Sequence, residues 1–450
     1  MARTMAELRK GTRLTDYLSL GVLATRLPLR QVKSVLAAQG KASRRQRELP
    51  AHVVVYYVIA LALFMQVSYR EVLRCLREGL AWLLGPEPTV KVTGKSGISQ
   101  ARTRLGWQVL RQLYVEVVKP VAVEATRGAW YRRWRLVSLD GSTLAVADEP
   151  ANRQAFARPR NQRGRAAYPQ IRFVALVENG THVLFGAQLG GYHTGENTLA
   201  TEVVGHLQPG MLCLADRGFF SYALWKRASA RGADLLWRLK KDVRVPVERL
   251  LPDGSFLSRI HPPRAARPTA DAEIPVRVIE YRLEGVEGAE PSYRLLTTLL
   301  DPAAAPAAEL AALYHERWEI EGAFDELKTH LRGAQIVLRS KTPDLVRQEF
   351  YGLWLAHFAV RGLMHEAALQ ADEDPDRLSF LHAVRVIRRK LPLAAIIPPS
   401  APESVPCGVA AGNSRRTRGL EPRPAPPPRS AAPAKQVFRA STEEIEPKPN

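Results

Sequence analysis

Five short apolar runs between residues 135 and 240 constrain the fold of this chain more than any other feature. The runs are RLVSL, QIRFVALVE, THVLFGAQL, MLCLA and DLLWRLK, and Gly, Asn and Pro separate them. The first three are typical of adjacent strands, with ENGTH as a hairpin turn. Helical patterns in GENTLATEVVGHL and SYALWKRASARG precede the fourth and fifth runs. This order of three strands, helix, strand, helix and strand predicts an α/β fold.

The excess of basic residues indicates a polyanionic partner. The 450 residues include 65 Lys+Arg against 44 Asp+Glu, which gives a formal net charge of +21 and a pI near 10.2. A chain this basic is attracted to polyanions before any specific contact forms. Nucleic acid is therefore the leading partner, and the alternative is an enzyme that is basic for another reason.

Cysteine usage and hydropathy indicate the compartment. Cys75, Cys213 and Cys407 lie far apart without metal-ligand spacing, so neither a disulfide framework nor a zinc site is expected. The most apolar run, Val53 to Met65, is too short to cross a bilayer. The N-terminus has no apolar stretch like that of a signal peptide. We therefore expect a cytoplasmic protein with no membrane partner.

The patterns around the five runs predict further units. Residues 1–132 carry long apolar and amphipathic runs, which predict an all-α N-terminal domain, and its basic residues, among them the cluster KASRRQRELP, make DNA binding the expected role of this domain. Residues 133–240 form the first part of the α/β core, and residues 241–301, with a turn signal and two strand-like runs, predict a β-rich insertion. Residues 302–397 return to helix and complete the core. Residues 398–450 are rich in Pro, Ala and Arg, which predicts a disordered basic tail.

Two aspartates end apolar strands of the predicted core. Asp140 lies in RLVSLDGSTL and Asp216 in MLCLADRGFF. Acids at strand ends gather at one rim of a sheet, where α/β proteins usually bind ligands. The alternative for each is an ordinary turn or helix-cap aspartate.

The segment YHERWEIEGAFDELK, residues 314–328, supplies a third acid. On a regular helix with roughly 100° per residue, four of its polar side chains share an arc of about 60°. They are Tyr314, Arg317, Glu321 and Lys328, called the stripe below. The same helix would turn Glu319 and Glu326 toward solvent. The alternative to a functional stripe is an exposed ion pair between Arg317 and Glu321.

The stripe and the two aspartates together suit phosphodiester chemistry. Two aspartates and a glutamate can position two hard cations, while the neighbouring Arg, Lys and Tyr hold phosphates. The order Asp140, Asp216, Glu321 resembles that of the DDE transposases with a ribonuclease H-like core. The spacing Tyr-x2-Arg-x3-Glu-x6-Lys resembles the signature of the IS4 family of bacterial insertion sequences. The resemblance covers residues 15 to 365 approximately, and implies a mixed sheet flanked by helices, with a β-rich insertion before the glutamate helix.

The resemblance implies a set of site residues. Asp140, Asp216 and Glu321 would be catalytic and would bind two Mg²⁺ or Mn²⁺ ions. The rest of the stripe would contact double-stranded DNA near the scissile phosphate. The implied activity cuts transposon ends and joins their 3′-hydroxyls to target DNA. Trp237 could receive a base displaced in a hairpin intermediate, or could belong to the core.

Other basic residues could contact DNA as well. The loop after Asp140 contains Arg153, Arg158, Arg160, Arg163 and Arg165, which either bind phosphates or form a solvated loop. Arg102 and Arg104 of the N-terminal domain face the same choice.

Two alternatives to transposition stay open. One is a metal-dependent nuclease that cuts DNA without joining it, and the other is an inactive DNA-binding descendant of a transposase. Since both transposon ends must be cut in concert, transposition predicts a homodimer in the synaptic complex, within the bacterial cytoplasm and associated with the nucleoid.

Overall fold

A mixed sheet flanked by helices forms the centre of the molecule. The computed structural model describes residues 26–43, 49–73, 94–161, 164–262, 273–283 and 290–394. The predicted tail lies outside these described residues. In chain order the described strands are β1 (Trp130–Tyr131), β2 (Trp134–Ala145), β3 (Arg160–Asn161), β4 (Gly164–Arg165), β5 (Gln170–Glu178), β6 (Val183–Gly191), β7 (Met211–Ala215), β8 (Asp234–Arg238), β9 (Arg249–Leu250), β10 (Phe256–Ile260), β11 (Ile274–Tyr281) and β12 (Tyr293–Thr297).

The order of the strands is that of a ribonuclease H-like core. The central strands lie in the order β6-β5-β2-β7-β8. β5 is antiparallel to both β2 and β6, whereas β7 is parallel to both β2 and β8. The third, second, first, fourth and fifth strands of the core are therefore neighbours in that order. The expected α/β fold with a mixed, ribonuclease H-like sheet is confirmed.

The strands β9 to β12 extend this sheet. β12 pairs antiparallel with β8, and β11, β10 and β9 follow in antiparallel order. The segment predicted as a β-rich insertion thus supplies strands that continue the sheet beyond β8.

Alternating side chains bury both faces of the sheet. In β7, Met211, Cys213 and Ala215 face a large core shared with the N-terminal helices. Leu212 and Leu214 face a second core on the opposite side. A strand buried on both faces needs a continuous apolar run, and MLCLA is such a run.

The helices cover these faces. The described helices are α1 (Leu29–Ala38), α2 (Ala51–Leu63), α3 (Lys95–Leu105), α4 (Gln108–Val117), α5 (Pro150–Phe156), α6 (Glu196–Val203), α7 (Tyr222–Ser229), α8 (Ala307–Leu313), α9 (Glu319–Asp325), α10 (Pro343–Ala371) and α11 (Phe380–Ala394). The long α10 is buried along most of its length and packs against α2, which is apolar on all sides. Of the described helices, none is both long enough and apolar enough to traverse a membrane.

Candidate active site

The register of two parallel strands places the two aspartates side by side. Leu139 of β2 pairs with Ala215 of β7, so the next residues, Asp140 and Asp216, are adjacent at the carboxyl end of the pairing. Beyond this point β2 continues alone against β5, with Asp140 opposite Ala175. The Asp216 carboxylate leaves the sheet and accepts a hydrogen bond from the Gly218 N–H. The structure thus brings together the two acids that strand-end positions predicted.

The stripe faces the same edge of the sheet. Arg317 links two of the acids, because its Nη1 lies 3.3 Å from Asp140 Oδ2 and its Nη2 lies 3.7 Å from Glu321 Oε1. The Tyr314 hydroxyl donates a hydrogen bond to the Ala215 carbonyl oxygen at 3.2 Å. Lys328 Nζ donates to Ser142 Oγ of β2 at 2.9 Å. All four side chains of the stripe therefore lie near the carboxyl end of the pairing between β2 and β7.

The segment that carries the stripe is not one regular helix. It begins with a 3₁₀ turn over Tyr314–Trp318, continues as α9, and ends in a π-helical turn over Glu326–Leu331. The assumption of a constant 100° per residue is therefore wrong for this segment. Short π turns inside helices are frequent at functional sites.

The expected burial of the acids on this segment is also wrong. The Glu321 side chain is 46% exposed, whereas those of Glu319 and Glu326 are only 12% and 11% exposed. Glu319 accepts a hydrogen bond from the backbone N–H of Gly180, at the β5–β6 turn. A helical wheel cannot show this, because the turn is far from Glu319 in sequence.

Glu326 is the centre of a buried ionic cluster. Its Oε2 accepts a hydrogen bond from Arg361 Nε at 2.8 Å, and His357 Nε2 lies 3.3 Å from the same oxygen. His182 Nδ1 lies 3.2 Å from Oε1. Although burial alone would raise it, the charges of Arg361 and His182 hold the pKa of Glu326 well below its usual range. The cluster ties the glutamate segment to α10 and to the β5–β6 hairpin.

His182 contacts three acids and one arginine of this cluster. Its Nε2 lies 3.0 Å from Asp376 and 3.8 Å from Glu319, and its Nδ1 faces Glu326. Burial and Arg361 lower its pKa, but the carboxylates of Glu326 and Asp376 outweigh both and raise it to about 9. Ligand atoms of His182, Glu319 and Asp376 lie within 4.8 Å of one another, as a metal site requires. Burial, with the charge of Asp376, raises the pKa of Glu319 to about 8, so this acid favours its neutral form at neutral pH.

The electrostatics of the exposed edge differ from those of the buried cluster. Burial raises the pKa of Asp140 to about 6, and Asp216 and Glu321 add to the shift against the opposing effects of Gly141 N–H and Arg317. Burial likewise lowers the pKa of Lys328, with a further contribution from Arg332. The negative charge at this edge is therefore only partly compensated by the side chains around it. Carboxylates are the donor type that Mg²⁺ and Mn²⁺ prefer, whereas among the described residues the group with three ligand atoms within 4.8 Å of one another is His182, Glu319 and Asp376.

The other predicted residues lie in different environments. Arg158 and Arg153 both form ion pairs with Asp148, and Arg153 Nη1 lies 3.0 Å from Asp148 Oδ1. Arg160 is exposed on β3, and Arg163 lies outside the described residues. Trp237 is fully buried on β8 and packs edge-on against Trp225 with ring centroids 5.2 Å apart, which is core packing.

Arg102 was expected on a DNA-binding or solvated basic face, and that expectation is wrong. It is 2% exposed, and it donates hydrogen bonds to Gln348 at 2.8 Å and Ser340 at 3.0 Å. Arg102 thus joins the N-terminal helices to α10. The aromatic Trp318 was not singled out from sequence, yet it is 50% exposed and lies 5.2 Å from the Arg317 guanidinium.

Known proteins and families resemble this chain over most of its length. Residues 134–359 match the family described as Transposase DDE domain, and residues 17–115 match Insertion element 4 transposase N-terminal. The transposase InsG for insertion sequence element IS4 of Escherichia coli K12 is 29% identical over 366 residues, which cover 80% of each chain. The putative transposase InsZ of the same organism is 25% identical over 222 residues, or 49% of this chain and 71% of that protein. Among solved structures, a piggyBac transposase synaptic complex with hairpin DNA has a TM-score of 0.43 and 10% identity, covering 89% of this chain and 86% of that one.

Proposed function

Because this chain belongs to the IS4 family of DDE transposases, we propose that it cuts the ends of its own insertion sequence and joins their 3′-hydroxyls to target DNA. The observation that carries the proposal is the edge of the sheet, where Asp140 and Asp216 are adjacent and Arg317 connects Asp140 to Glu321. Negative charge develops on the phosphate oxygens during phosphoryl transfer, and cations stabilise it. Acids near one another can hold metal cations, and the neighbouring basic side chains supply further positive charge.

A DDE transposase depends on a divalent metal, and the residues present suit it. We assign Asp140, Asp216 and Glu321 as ligands of two Mg²⁺ or Mn²⁺ ions. The adjacent positions of Asp140 and Asp216 after the paired ends of β2 and β7 support this assignment, and the charges of Asp216 and Glu321 add to the burial that raises the pKa of Asp140. When bound, such ions activate the attacking oxygen and stabilise the leaving oxygen of the phosphodiester.

The rest of the stripe positions the DNA strand. Arg317 is only 8% exposed and lies between two acids. These contacts hold its guanidinium in a fixed position while it binds a phosphate oxygen. Ser142 orients the ammonium group of Lys328 toward β2, where it can pair with a phosphate oxygen. Tyr314 is bonded to the backbone of β7 and fixes the start of the segment against the sheet. The exposed ring of Trp318 is available to stack on a base next to the cut.

The partner is double-stranded DNA, both transposon ends and target. A homodimer that pairs the two ends would let one complex cut both, and the bacterial nucleoid is where such a complex acts. Arg160, exposed on β3, adds a cation for the DNA backbone. A nuclease that does not join DNA would use the same acids, so the two functions differ only in the products.

Strand cleavage and joining of a labelled duplex that carries the ends of the element test this proposal. Wild type with Mg²⁺ or Mn²⁺ is compared with Glu321→Gln and with Glu316→Gln, an exposed acid five residues away. We expect at least a hundredfold loss of both products for Glu321→Gln, with DNA binding retained, because a ligand and its charge are lost. The Glu316→Gln control should behave as wild type.

Each other result points to a different function. Cleavage without joining by the wild type would identify a nuclease. No cleavage by the wild type, with DNA binding intact, would identify an inactive descendant. Equal activity of Glu321→Gln and wild type would refute the assignment of the stripe.

A further inference from the structure

Three cations at the edge of the sheet converge on one carboxylate. Arg217 Nη1 and Arg238 Nη2 lie 3.0 Å and 2.6 Å from Oε1 of Glu290. Lys241 Nζ lies 3.3 Å from Oε2 of the same side chain. Both oxygens of Glu290 are therefore engaged, and the four groups together keep a net charge of +2.

These cations adjoin the proposed active site. Ala215 of β7 pairs with Trp237 of the parallel β8, so the next residues, Asp216 and Arg238, are adjacent at the carboxyl end of this pairing. Arg217 follows Asp216 directly in sequence. The Arg238 guanidinium lies 4.6 Å from the ring centroid of Tyr293, which holds it at this edge. A DNA strand whose scissile phosphate reached the acids would extend its neighbouring phosphates over such cations.

The carboxylate comes from a different part of the chain. Glu290 precedes β12, whose first paired residue is Tyr293, so Glu290 takes no part in the strand pairing. Its side chain is 25% exposed, and those of Arg217, Arg238 and Lys241 are 48%, 20% and 64% exposed. Partly exposed ion pairs are weak, at most about fivefold each in an equilibrium constant. Glu290 can therefore leave the cations at small cost and without disrupting the sheet.

We propose that Arg217, Arg238 and Lys241 form a binding site for a backbone phosphate of the DNA, and that Glu290 occupies it until DNA displaces it. A phosphodiester matches the carboxylate in chemistry, because it spreads one negative charge over two non-bridging oxygens. The inference rests on the proposed function, since it assumes that DNA lies along this edge. Glu290 then lowers the affinity of DNA that enters the site, because the phosphate must displace the carboxylate from the three cations.

Anisotropy measurements with a short fluorescein-labelled duplex that carries a terminal sequence of the element test this inference. Divalent metal is omitted, so the readout is binding and does not depend on cleavage. Glu290→Gln should bind about three- to tenfold more tightly than wild type, because DNA no longer competes with an internal anion. Its affinity should also depend more steeply on salt, since the freed cations hold solution anions that DNA must release.

Two further variants distinguish competition by Glu290 from the general effect of removing one negative charge. Glu248→Gln removes the same charge from a pair with Arg259, elsewhere in the β-rich segment, at 3.2 Å. It should bind DNA as the wild type does. In an Arg238→Gln background, Glu290→Gln should give a smaller gain than in the wild type, because the two groups act on the same site. Thermal unfolding midpoints establish that each variant is folded.

Unchanged or weaker binding by folded Glu290→Gln would overturn the inference and leave the cleavage results standing. Equal gains for Glu248→Gln and Glu290→Gln would also overturn it, because a site-specific competitor would then be unnecessary. Failure of the proposed function is distinguishable, since it would appear as absent cleavage and joining in the separate metal-dependent assay.

Discussion

The buried ionic cluster under the glutamate segment makes a quantitative prediction for Glu326→Gln. Arg361 is 1% exposed and His357 is 1% exposed, so neither can replace the lost carboxylate with water. Removing one partner of a buried pair leaves an uncompensated charge and typically costs about 3–5 kcal/mol. We expect Glu326→Gln to lower the free energy of unfolding by that amount, even though glutamine has nearly the same shape.

Urea unfolding at neutral pH, followed by tryptophan fluorescence, measures this loss. The control Glu316→Gln changes an exposed acid of the same segment and should stay within about 0.5 kcal/mol of wild type. The double variant Glu326→Gln, Arg361→Met should lose less than the sum of the single variants, because it removes both buried charges. A loss below about 1 kcal/mol for Glu326→Gln, or strict additivity in the double variant, would refute the reasoning.

Two further predictions concern stability. The folded environment raises the pKa of His182 from its ordinary value of 6.5 to about 9. Between these pH values the folded state binds more protons than the unfolded state, so the free energy of unfolding falls as pH rises from 6.5 to 9. Urea titrations across this range should show that slope, and His182→Asn should reduce it. Gly352→Ala should lower stability by about 1–3 kcal/mol, because its Cβ would lie 2.8 Å from both Cγ1 and the carbonyl oxygen of Val58, where α10 meets α2. Gly205→Ala is the control, because its Cβ meets nothing within 4 Å. Equal decreases in the thermal unfolding midpoint of both variants would contradict the packing argument.

The core strands and the two aspartates could be predicted because their signals are local. MLCLA is apolar at every position and ends at an acid, so the sequence alone indicates a buried strand with Asp216 at its end. The general rule that parallel strands bring their carboxyl ends to one edge then places Asp216 near Asp140. What the runs do not encode is the pairing itself. The antiparallel placement of β5 against β2 is an example, because periodicity assigns a segment to a strand and does not name its partner.

The burial of individual polar residues could not be predicted, because their partners are distant in sequence. Arg102 looks like one of several basic residues on a helix, and only the fold reveals its contact with Gln348, 246 residues away. Glu326 likewise meets Arg361 and His182 from two other elements. A helical wheel assigns such residues to solvent because it contains no information about what packs against each face.

The buried ionic cluster around Glu326 also explains how the fold holds Asp140, Asp216 and Glu321 in place. Asp140 and Asp216 are fixed by the backbone pairing of β2 and β7, whose neighbouring side chains are buried and resist a shift in register. Glu321 has no such strand, but its segment is held from beneath at Glu319 and Glu326. The anchoring charges are buried while Glu321 itself stays 46% exposed, so rigidity and access are supplied by different residues of one short segment. Under the proposed assignment of Glu321 as a metal ligand, the cost of holding the carboxylates near one another is therefore met in folding.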